Sequence, residues 1–243
     1  MHRCSGLPPI QSRPRHVDVS FAPQSEYVLP IPLTKVLSMA LLHFDLPQRR
    51  EPMVLVWPAS GNPAAMLHFD TADEWRTFVE TLSLDPRIPD IVRLKFERAQ
   101  KLFLLGWLDP DLLKGAELVA LTTLELALKD RFGNVVPRLP QKKIDPSSPE
   151  AMMTQPARYS FKALLRHLVD KEGLTDAQIP VIARCGGTEI GQLTGQVSPT
   201  LDERRNALAH GDPFDGLPTS GLVELVRDLI MFAYRDYLNE VAP

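Results

Sequence analysis

From Ile88 to the C-terminus, one segment after another repeats apolar residues at three- and four-residue spacing, and the prolines fall mostly between these segments. Such a pattern restricts the fold to a helical assembly. Each stripe covers one face of a 3.6-residue helix, and that face has to be buried against another element. Ile91, Val92, Phe96, Ala99, Leu102 and Phe103 form the first stripe. Asp109-Pro110 opens a long helix with proline at its first position. Leu113, Ala116, Ala120, Thr123, Leu124, Ala127 and Leu128 give it a core face, and Gly133-Asn134 ends it. Five prolines between residues 134 and 157 (Pro137, Pro140, Pro146, Pro149, Pro156) make that stretch a loop insert. A third helix is expected over 159–171, with Phe161, Leu164, Leu165 and Leu168 inward and Gly173 as its stop. Thr175 and Gln178 form a capping-box pattern ahead of a short helix over 176–183. A glycine-rich turn follows at 184–191. The last helix, over 221–240, turns Leu222, Leu225, Val226, Leu229, Ile230, Ala233 and Tyr237 to one side. Residues 88–243 thus read as a four- to five-helix bundle.

The N-terminal third reads differently. Residues 1–32 hold six of the 23 prolines and little periodicity, which predicts a flexible tail with a short extended piece at 27–29. A helix is expected over 33–44, strands over 53–57 and 65–69 with a hairpin loop at 58–64, and a helix over 73–82. Residues 33–87 are therefore expected to form a small α/β module ahead of the helices, in a chain that is mainly α. Trp57, Trp75 and Trp107 read as core.

The net charge of −3 excludes a chain that binds nucleic acid by its overall charge. Locally the balance reverses. Between Arg131 and Lys171 eight Lys/Arg stand against three acids, an excess of five positive charges, enough to hold a polyanion or simply to solvate a helix face. The longest apolar runs fall far short of a membrane span, and the first residues lack a secretory core. Cys4 and Cys185 give no disulfide framework, so a cytoplasmic protein is expected. The histidines show no metal-ligand spacing, and neither a metal nor another cofactor is expected. Arg184-Cys185-Gly186-Gly187 lacks the lysine of a phosphate-binding loop and reads as a turn.

One short segment carries chemistry. Thr200 with Glu203 three residues on is a capping box, and Gly211 before Asp212-Pro213 is a left-handed stop, so a helix is expected over 201–210. It holds Arg205, Asn206 and His210. Asn206 and His210, four apart, share a face. Arg205 lies about 140° around from His210, so it converges with them only by its reach or across a two-fold dimer. An imidazole titrating near neutral pH moves protons, and an Arg stabilises a phosphorane bidentately. Together they fit RNA cleavage through the ribose 2′-hydroxyl. Arg204, Arg166, Lys162 and Arg158 are the candidate RNA-binding residues, and His167 could extend an RNA groove. The bland reading is a solvated helix with a C-terminal histidine. In that reading Glu117 or Glu125, two turns apart on the long helix, pairs with Arg204 or Arg205 as a structural bridge.

Arg205-Asn206-Ala207-Leu208-Ala209-His210-Gly211 resembles the signature of the HEPN superfamily, an Arg followed by a polar residue and then a His after four intervening positions. The segment 116–129 is similar to the early long helix of bacterial HEPN proteins, where a Leu-Glu pair precedes an apolar and a basic residue, and Glu125 matches that Glu loosely. The order of helices over about 88–240 also matches. The resemblance implies a metal-independent endoribonuclease of a toxin or antiviral-defence system, with Arg205, Asn206 and His210 as catalytic residues. It also implies a homodimer, an RNA substrate and an antitoxin protein as partners. The alternative it implies is a non-catalytic HEPN-like module that binds RNA, nucleotide or protein. A plain helical interaction domain is the third reading.

Overall fold

The computed structural model describes residues 44–138, 159–211 and 218–241. The expected 1–32 tail, almost all of the 33–44 helix and most of the 134–157 insert, with Arg158, lie outside the described residues. The described chain is mainly helical, with one two-stranded antiparallel sheet near its N-terminal end. In order, these are β1 (Met53–Ala59), β2 (Asn62–Phe69), α1 (Ala72–Glu80), α2 (Asp90–Leu105), α3 (Leu112–Phe132), α4 (Phe161–Asp170), α5 (Pro180–Cys185), α6 (Ile190–Thr194), α7 (Leu201–His210), α8 (Leu222–Ala233) and α9 (Arg235–Glu240). Among the described residues no helix is long and apolar enough to cross a membrane.

Each strand alternates as the period of two requires. Met53, Leu55 and Trp57 point into the core, while Val54 and Val56 face out opposite His68 and Met66. Both strands reach further than the sequence pattern suggests, through Pro58 and Pro63 to a tight turn at Gly61. A lone hairpin has only edge strands, where a missing N–H is tolerated. Thr71 caps α1 reciprocally with Glu74.

Helix α3 is the centre of the bundle. It packs against α2, α8, α7 and α4, so its buried residues extend beyond one stripe. All seven expected core positions are buried, and Glu117 and Leu121 join them. Its start corrects the sequence reading: Pro110 lies in a preceding turn and the helix begins two residues later. The segment over 176–183 is also divided. Its capping box forms, but it closes only one 3₁₀ turn (Asp176–Gln178) before Pro180 starts α5, because the residue before a proline is driven out of the helical region. The final helix breaks at Tyr234 into α8 and α9.

The sheet and α1 join α2 through interlocking rings. Trp75 stacks on Phe103 at 5.2 Å and meets Phe69 edge-on at 5.0 Å, and Trp57 meets Phe78 edge-on at 5.1 Å. Each buried indole also finds an acceptor, as a polar N–H out of water must. Trp75 donates to the Leu104 carbonyl, Trp107 to that of Pro47, and Trp57 to the Glu224 carboxylate.

Glu224, on the first turn of α8, is buried beneath the hairpin. Arg184 from α5 grips it with two 2.9 Å bonds, Trp57 donates to it at 3.0 Å, and Arg227 reaches it at 3.1 Å. Arg184 also donates to the Pro58 carbonyl, and its own carbonyl accepts from the Gly61 N–H. Burial pushes the Glu224 carboxyl up, but the Arg184 hydrogen bonds and the charge of Arg227 outweigh it and hold the group below its ordinary value. Replacing Glu224 by Ala leaves the Arg184 guanidinium without its carboxylate and the Trp57 indole without its acceptor, while Arg227 keeps Asp228, and should cost about 3–5 kcal/mol, read from denaturant unfolding. The depressed carboxyl contributes stability that is present above its unfolded pKa and lost as pH falls through the folded one. Unfolding measured below pH 4.5 should therefore show a steeper acid loss in the wild type than in Glu224→Gln.

Candidate RNA-binding face

Helix α7 forms over the residues its capping signals predict. The Thr200 hydroxyl accepts the Glu203 N–H at 3.2 Å, and Glu203 accepts the Thr200 N–H at 2.8 Å. Gly211 ends the helix at φ 70°. Of its ten residues only Leu201 is fully buried, with Leu208 packed partly against the core.

The two sides of this helix differ sharply. Asn206 and His210 are exposed, and among the described residues neither side chain has a hydrogen-bond partner. Arg205 turns the other way, as its 140° offset requires. Its guanidinium lies over the Phe161 ring at 5.6 Å and reaches Glu125 at 3.4 Å, and its Nε–H has no acceptor among the described residues. The pairing of Glu125 with Arg205, one of the bridges expected from the sequence, is thus present. Glu125 does not neutralise that corner. Lys129 also binds it at 2.6 Å, and Lys95, whose ammonium is pushed down in pKa mainly by burial, lies within its field. Three cations share one carboxylate.

Arg204 is half-buried and donates to the Thr219 hydroxyl at 3.3 Å, while the Thr219 N–H donates to the buried Glu117. Its guanidinium is thereby engaged with the loop that leads into α8. Lys162 and Arg166 lie on α4 near the turn before α7. His167 pairs with Glu172 at 3.3 Å and lies against the Phe132 ring at 4.8 Å, which makes it part of the packing of α4.

Two features escaped the sequence reading. Arg184 is the clamp on Glu224, and nothing in its glycine-rich surroundings announces a partner 40 residues away. The other is Glu189. It lines a recess of about 210 Å³ between the hairpin, α5 and the start of α8, together with Pro58, Cys185 and Gly187. Its Oε2 is buried without a hydrogen-bond partner among the described residues. Burial drives its carboxyl up to about 7, against the opposing charge of Arg204 and with help from Asp176. Among the described residues no three His, Cys, Asp or Glu side chains gather as metal ligands.

Compared with known proteins, the chain matches no family model, no curated protein and no solved structure.

Thr200→Ala removes a cap and should cost about 1 kcal/mol, read from chemical unfolding. Glu189 should leave a mark on the pH dependence of stability. Between pH 4.5 and about 7 the unfolded Glu189 is ionised while the folded one keeps its proton, so stability falls as pH rises through that window. Unfolding free energies of Glu189→Gln should lack this decline.

Proposed function

We propose that this protein binds RNA through α7 and the adjoining ends of α3 and α4, as a HEPN-like module. The observation that carries the reading is the corner at Glu125, where Lys95, Lys129 and Arg205 outnumber one carboxylate beside an exposed helical stripe bearing Asn206 and His210. Excess positive charge draws in the phosphate backbone. An exposed amide and imidazole, without partners among the described residues, can bond to ribose and phosphate oxygens. Arg205 serves first as a positioning residue: stacked on Phe161 and tethered to Glu125, it fixes α7 against the bundle and adds to the field.

A second reading is favoured by the exposed His210. The imidazole can take the 2′-hydroxyl proton, the oxygen so freed attacks the adjacent phosphorus, and the leaving 5′-oxygen takes up a proton, leaving a 2′,3′-cyclic phosphate. Asn206, one helical turn away, would hold a non-bridging oxygen. Arg205 would have to exchange Glu125 for the phosphate, or reach the cut from a second copy in a homodimer. An antitoxin partner and a role in defence belong to this reading.

Labelled structured RNA, incubated in excess EDTA with wild type and with His210→Ala, separates the two. Retention of RNA by both proteins with no cleavage is the outcome expected of a binding module. Cleavage by wild type alone, with cyclic phosphate ends, would establish the endoribonuclease. Absence of any RNA binding by the folded wild type would overturn both.

A further inference from the structure

Beyond the stripe itself, the turn before α7 brings two cations to one point. Gly195 ends α6 in the left-handed region at φ 81°. A methyl group at that position would lie 3.1 Å from Lys162 Cε, 3.3 Å from its Nζ and 3.6 Å from Arg166 Nη2. Only glycine suits this backbone, and its bare Cα leaves both side chains facing the same small space. Arg166 does not arrive there by chance: its Nε donates to the Thr194 carbonyl at 2.7 Å, which fixes the plane of the guanidinium and leaves the terminal nitrogens to point onward. Among the described residues neither Lys162 nor Arg166 has an acid within ion-pair distance. Glu203 feels the Lys162 charge, and its carboxylate accepts the Thr200 N–H. Two like charges held together with no acid in ion-pair contact repel, and an anion placed between them offsets that cost.

We propose that Lys162 and Arg166, converging over Gly195, form a seat for a phosphate group of the RNA strand, flanking the nucleotide that lies at His210. This rests on the RNA-binding reading of α7 and deepens it. Glu203, Asn206 and His210 stand at i, i+3 and i+7, so they share one exposed stripe about 10 Å long. The seat adjoins its Glu203 end and the imidazole stands at the other. A strand laid along the stripe is thus anchored by a phosphate at one end and presents a ribose to His210 at the other. The bidentate guanidinium gives the seat direction, and the lysine adds a mobile point charge.

The test uses a 2′-O-methyl RNA hexanucleotide, whose blocked 2′-oxygen prevents cleavage, with affinity followed by fluorescence anisotropy across a salt series. Each phosphate that the protein no longer neutralises lowers the slope of log affinity against log salt by ~0.7. The double variant Lys162→Gln/Arg166→Gln is expected to bind about tenfold more weakly at low salt and to show that lower slope. Lys162→Arg, which keeps the charge, should retain the wild-type slope. Arg50→Gln/Lys171→Gln, an equal charge loss at exposed positions elsewhere, should change it far less. An unaltered slope in the seat variant, with wild type binding normally, would overturn the seat and leave the RNA-binding reading standing. An equal effect from the Arg50/Lys171 pair would also overturn it, since bulk charge would then suffice. Failure of the wild type to bind would remove the seat and the underlying reading together. A seat-dependent slope alongside RNA left intact in EDTA would support the seat and count against cleavage alone.

Discussion

The buried carboxylate of Glu224 holds the two ends of the described chain together. Without it the hairpin would rest on the bundle by ring contacts and a few hydrogen bonds to its backbone, such as that from the Ser220 hydroxyl to the Pro63 carbonyl. With it, Trp57 of β1, Arg184 of α5 and Arg227 of α8 are bound to a single point, and Pro58 and Gly61 are drawn in through Arg184. A charge so placed contributes little net stability against an apolar replacement of the same shape, but it tolerates only one arrangement of its partners. The orientation of the sheet over α8 is therefore set by hydrogen-bond geometry, and the recess containing Glu189 is a by-product of that orientation, since Pro58, Pro63 and Gly221 form its walls.

Helix α3 uses carboxylates in the same way. It places one acid at each end of the motif helix's surroundings. Glu117 reaches the Thr219 N–H and Glu125 reaches Arg205. The adjacent arginines of α7 thus diverge, Arg204 toward the loop before α8 and Arg205 toward α3 and α4. This split orients α7 with little apolar burial of its own, and turns Asn206 and His210 to solvent.

Much of the helical content was legible because it rests on local chemistry. The capping box at Thr200 and the left-handed glycine at 211 bound α7 as expected, and the apolar stripe of α3 was read residue by residue. What escaped depends on partners far along the chain. At Ile179-Pro180 the proline itself marks the break, although the capping box ahead of it predicts one continuous helix; the break at Tyr234 lies within an unbroken apolar stripe, and no local signal marks it. Arg184 reads from the sequence as part of a glycine-rich turn, and only the fold brings Glu224 to it. At the motif, the spacing correctly separated Arg205 from His210 around the helix. It could not choose between Glu117 and Glu125 as acceptors, since two turns of helix are equivalent until the third element docks. The convergence of Lys162 and Arg166 needed the path of the chain through Gly195, which no periodicity encodes.

The shallow anchoring of α7 has a thermodynamic consequence. A ten-residue helix is marginal in water by itself, and this one is fastened by Leu201, part of Leu208, a cap and a few polar links. Its free energy of opening must lie well below that of α3 or α8, whose faces are sealed in the core. The segment bearing Asn206 and His210 is thus expected to loosen while the bundle stays intact, its backbone amides exchanging with solvent before those of the helices that support it.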